Sequence, residues 1–135
     1  MITKYFVLNL KNQNRQNNAV LPFLCSIITL QKMALQQKDK KMLDSMIDEE
    51  IAKIPGLIRN LHLPEFHDFF GIKNESEYVY GYTHGAIVGK FETYYFIVHK
   101  GKKPSGTEVD EIAKTIIQRS FEMRDKISKS SDLSQ

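Results

Sequence analysis

Three glycines stand four residues apart in the middle of what is otherwise the strongest helix signal in the chain. Asn74-Glu-Ser-Glu77 has the form of a helix start, an asparagine cap with a glutamate three residues on. From there to about His99 only Gly81, Gly85 and Gly89 break the helical composition. A helix turns by about 100° per residue, so steps of four drift by only about 40° and the glycines form one seam. Tyr78, Tyr82, Glu92 and Phe96 lie along that seam, and Tyr80, Ile87, Phe91, Tyr94, Tyr95 and Val98 occupy the opposite side. Only a thin stripe around Thr83 and Lys90 reads as polar. A helix apolar nearly all round belongs in the centre of a core or at an interface.

Glycine in a helix interior costs roughly 1 kcal/mol against alanine. Three of them remove roughly 3 kcal/mol, a large share of the stability of a typical domain. Close approach of another helix is the physical compensation, because small residues four apart let backbones pack tightly. Ala113 and Ser120 supply small residues on the last helix. The leading expectation is therefore intrachain packing of the seam inside a helical hairpin. A symmetric dimer contact and room for a ligand are the alternatives.

The remaining pattern predicts an all-α fold: a small helical bundle built on an antiparallel hairpin, about 74–99 and 106–128. Ser105-Gly-Thr-Glu108 reads as a capping box for the second arm. Val109, Ile112, Ala113, Ile116, Ile117, Ser120, Met123 and Ile127 mark that arm's apolar side. A further helix is predicted at about 38–54 from Met42, Leu43, Met46, Ile47, Ile51 and Ile54, ending at Pro55-Gly56. Short helical turns follow at 57–70, where Phe66, Phe69 and Phe70 are expected to plug one end of the core. Residues 33–128 form the expected single domain, and 129–135 read as a disordered tail.

Residues 1–32 are compositionally apart. They hold Lys4, Lys11, Arg15 and Lys32 and no carboxylate, so without them the net charge falls from +3 to −1. The tract Lys11–Asn18 is rich in Asn and Gln and favours disorder. The segment reads as a flexible tail ending in a weakly docked helix at 20–36, as an artefactual extension ahead of Met33, or as a targeting segment. Its apolar run Ala19–Leu30 is about half of what a membrane span needs. A single cysteine, Cys25, excludes an intrachain disulfide and suits a cytoplasmic protein.

Chemistry is thinly signalled. No phosphate-binding glycine loop, nucleophile elbow or zinc-protease motif occurs. Di-metal helical bundles use Glu-x-x-His pairs, which are missing, so no metal or other cofactor is expected. Glu92 and His99, seven apart on one helix side, with His84 among the tyrosines, form the nearest polar-core or ligand group. A buried Glu92 needs a partner, either a tyrosine hydroxyl or Arg119 or Arg124. Two lysine clusters, Lys38/Lys40/Lys41 and Lys100/Lys102/Lys103, offer a nucleic-acid surface, although a domain of charge −1 is not the usual basic reader. The expected function is a non-enzymatic helical interaction protein, a homo-oligomer or the binder of a protein partner. A nucleic-acid-associated regulator and a helical metal or small-ligand binder are the alternatives.

Overall fold

A computed structural model describes residues 34–133. The expectations for residues 1–32, including the helix at 20–36 and Cys25, lie outside these. Among the described residues the protein is all-helical, with no strand, and forms a small bundle.

Helix α1 (Gln37–Leu61) buries Leu43, Ile47, Glu50, Ile54, Ile58 and Leu61, a stripe at steps of four and three. The expected stop at Pro55-Gly56 does not occur, and the helix runs through both residues. Pro55 leaves the Ile51 carbonyl without its helical donor, at a cost of about 3 kcal/mol. Ile54, Ile58 and Leu61 continue the buried stripe across the proline. Burial of such side chains is worth about 1.5–3 kcal/mol each. Core packing therefore outweighs the lost bond.

Helix α2 (Pro64–Phe70) has proline in its first turn and stops at Gly71, whose φ of 56° is left-handed. It plugs nothing: none of its residues is buried, and Phe69 is 83% exposed. The three phenylalanines pack on one another, Phe66 stacked on Phe70 at 5.9 Å and Phe69 edge-on to Phe70 at 5.3 Å. From the segments on either side, Leu61 belongs to the core and the half-buried Ile72 packs against it.

Helix α3 (Glu75–Val98) begins as expected, with the Asn74 side chain accepting from the Glu77 amide at 3.1 Å. It ends in a tight turn in which the Gly101 amide donates to the Phe96 carbonyl at 2.8 Å. Gly101 has φ of 83°, and the Phe96 ring lies 3.7 Å from where a Cβ would stand. Glycine suits that turn on backbone grounds alone.

Helix α4 (Gly106–Gln118) carries the predicted capping box of Ser105 and Glu108. The second arm is not continuous to 128. It breaks at Arg119 and resumes as α5 (Ser120–Asp132), which extends helix into the segment expected to be disordered. At the junction the Arg119 guanidinium donates to the Asp44 carbonyl and the Asp48 carboxylate on α1, and to Glu122 on α5. The core-facing residues are Ile112, Ile116, Met123 and Ile127, whereas Val109 and Ile117 are exposed. The predicted apolar side of this arm was thus too broad.

Helices α1, α3 and α5 pack mutually, and their buried side chains meet in one cluster around Leu43, Ile47, Ile54, Ile87, Phe91 and Met123. Phe91 is its largest fully buried member. Phe91→Ala is expected to lower stability by about 3–5 kcal/mol. Pro55→Ala is expected to raise it by about 1–2 kcal/mol by restoring the helical bond. Urea denaturation midpoints check both, and a destabilised Pro55→Ala would contradict the account of α1.

Candidate interaction surface

The glycine seam faces outward. Gly81, Gly85 and Gly89 are all exposed, and a Cβ added to any of them would meet nothing within 4 Å. The expected intrachain packing against Ala113 and Ser120 is not formed: Ala113 is exposed on α4 and Ser120 is only half-buried where α5 begins. The buried stripe of α3 is instead Val79, Thr83, Ile87, Phe91 and Tyr95. Thr83, expected to mark the polar side, lies in the core at 2% exposure. Magnitude explains the choice of face. The Val79–Tyr95 stripe offers large side chains, each worth a few kcal/mol on burial. A face with three side chains missing has far less to gain from the bundle.

The outer face is nevertheless apolar. Tyr78 and Tyr82 stack there with ring centroids 6.3 Å apart. Tyr82 and Phe96 are each about half exposed. Glu92 shares the exposed side and has no partner among the described residues. Both expected arginine partners are engaged elsewhere. Arg119 holds Asp48 and Glu122, while Arg124 holds Glu77 at 2.8 Å and lies 4.2 Å over the Tyr80 ring. Further apolar displays lie at Phe66, Phe69 and Phe70, and along Val109, Ile117 and Phe121.

The second candidate group sits where the start of α1 meets the end of α3. Asp39 is 1% exposed, and its carboxylate accepts from the Tyr94 hydroxyl at 3.0 Å and pairs with His99 Nε2 at 2.9 Å. The Tyr95 ring stacks on His99 at 3.9 Å, and its hydroxyl donates to Glu108 at 2.7 Å. His99 is thus bound to Asp39 rather than grouped with the exposed Glu92. His84 packs edge-on to Tyr80. Among the described residues no three potential metal ligands gather. The Asp39–His99 contact brings Lys38, Lys40 and Lys41 to the same end as Lys100, Lys102 and Lys103. Lys40 is paired with Glu111 at 2.6 Å. Sequence reading missed Asp39, since no local spacing links it to a histidine sixty residues away.

Charged groups stitch the helices together. Lys90 pairs with Glu49 and the largely buried Glu50 across α1 and α3, and Lys53 pairs with the same two carboxylates. Hydrogen bonds from Lys53 and Lys90 hold the Glu49 carboxyl down at about 2. Burial pushes Glu50 up, but its bonds to Lys90 and Lys53 outweigh that and leave it lowered. Arg124 lowers Glu77 and Arg119 lowers Glu122. Burial, with the bond to Glu108, pushes the Tyr95 phenol up to about 12.

These directions fix the sign of the pH dependence. Lowered carboxyls contribute stability that is present above the ordinary carboxylate value of 4.5 and lost as pH falls toward about 2. The raised phenol contributes stability that is present below its ordinary 10.0 and lost as pH rises toward about 12. Urea midpoints are expected to fall in both windows, and tyrosinate absorbance to show a late-ionising fraction absent from the unfolded chain. A midpoint that rises on acidification below 4.5 would contradict this. Comparison with protein-family models, with curated proteins and with solved structures found no match to this chain.

Proposed function

We propose that the protein is a small helical association module, cytoplasmic and without catalytic chemistry, that pairs with a second copy through the outer face of α3. The observation that carries this reading is the glycine seam. Gly81, Gly85 and Gly89 are exposed helix-interior glycines with open space at each Cβ. Alanine at these positions would stabilise an isolated bundle by roughly 1 kcal/mol each. A helix packed against the seam supplies the reason for glycine that the bundle of described residues does not. The flanking tyrosines and Phe96 are residue types enriched at interface centres.

Gly85→Leu is the direct test, since the position has room in the monomer. Light scattering over a concentration series is expected to give a dimer for the wild type and a monomer for the variant, with unchanged helicity by circular dichroism. A wild type that stays monomeric throughout would contradict the reading. So would a Gly85→Leu variant that dimerises as the wild type does.

A second reading, a nucleic-acid-associated regulator, draws on the meeting of the two lysine clusters at one end of the bundle. It predicts salt-sensitive retention of the protein on immobilised DNA or RNA. Retention should fall on replacing Lys100, Lys102 and Lys103 by Glu. No retention at low salt would eliminate it.

A further inference from the structure

The order of residues on the outer face of α3 bears on how a second copy would sit. Tyr78, Tyr82, Gly85, Gly89, Glu92 and Phe96 follow one another at alternating steps of four and three, the repeat of a helix–helix seam. All six are exposed. Read from either end, the series begins with an aromatic ring, continues with a polar-tipped side chain and reaches a glycine. It is therefore self-complementary when reversed.

Parallel, in-register pairing would set Glu92 against Glu92 of the partner subunit. Two like charges in an apolar seam oppose association strongly. Antiparallel pairing about a twofold axis level with Ile87 removes that conflict and pairs every position. Tyr78 then lies opposite the partner's Phe96, Tyr82 opposite the partner's Glu92, and Gly85 opposite the partner's Gly89. A twofold contact makes each of these pairs occur twice.

The polar groups on the face fit this arrangement. The Thr93 hydroxyl turns back onto the Gly89 carbonyl at 2.8 Å and asks nothing of a partner. The Glu92 carboxylate and the Tyr82 hydroxyl have no hydrogen-bond partner among the described residues. One is an acceptor and the other a donor. Tyr82 is also held by its stack on Tyr78, so it loses little further freedom on docking.

We propose that two copies dock antiparallel through α3, crossing at Gly85 and Gly89, with each Tyr82 hydroxyl donating to Glu92 of the partner subunit. This rests on the self-association reading, and Tyr82 and Glu92 are the residues that set its orientation.

A charge exchange in the full chain tests it, read by sedimentation at matched concentrations. Tyr82→Glu sets a carboxylate against Glu92 of the partner subunit and is expected to weaken the dimer at least about tenfold. Adding Glu92→Lys to that variant is expected to restore dimerisation, because opposite charges then meet at both pairs. Positions 82 and 92 are ten apart on one helix and cannot compensate within a chain. Circular dichroism confirms that each variant keeps its helicity. A double variant that stays monomeric, or a Tyr82→Glu variant that dimerises normally, overturns the antiparallel register while the dimer itself stands. A wild type that is monomeric overturns the register together with the reading beneath it.

Discussion

Helix α3 is apolar on two opposite sides, and among the described residues the bundle covers only one of them. The buried stripe from Val79 to Tyr95 supplies Ile87 and Phe91 to the centre of the core, against Leu43, Ile47 and Ile54 of α1. Burial of that stripe decides how the helix is rotated. Once it is rotated that way, the glycines, Tyr78, Tyr82, Glu92 and Phe96 all point outward. The outward glycine face is thus a consequence of core packing.

Polar contacts keep that rotation in register along the length of the bundle. At one end Asp39 ties α1 to Tyr94 and His99 on α3, and Tyr95 reaches Glu108 at the start of α4. Near the middle Lys90 reaches back to Glu49 and Glu50 on α1. Toward the start of α3, Arg124 joins it to α5 through Glu77 and Tyr80. Arg119 fastens the break between α4 and α5 to α1. Each contact links different helices, so together they restrain sliding and rolling that an apolar core alone would tolerate.

Much of the fold was legible in the sequence because caps and periodicity act locally. The Asn74 cap, the Ser105–Glu108 box and the helical hairpin all follow from short-range rules. The misreadings share a different cause. Pro55 reads as a stop because its cost is local, whereas the burial of Ile58 and Leu61 that offsets it depends on the whole bundle. The break at Arg119 has no local signal, and its side chain's partners on α1 lie about seventy residues away. The inward face of α3 could not be read from composition, since both faces are apolar and Thr83 looked polar. The size of Phe66, Phe69 and Phe70 predicts a core position, but none is buried and their rings pack on one another. Glu92 stands out in the sequence as a carboxylate on an apolar seam, and the structure leaves it exposed because the seam faces outward.

On the proposed reading, the outward glycine face of α3 has an occupant, and that occupant is a second copy of the chain. The most direct test of this claim is a dilution series of the isotope-labelled protein followed by backbone-amide NMR. Resonances of Gly81, Gly85, Gly89, Glu92 and Phe96 are predicted to shift or broaden with concentration, while those of Ile112 and Ile116 hold still. Concentration-independent spectra would contradict the claim, as would shifts confined to Val109, Ile117 and Phe121 or to the phenylalanines of α2.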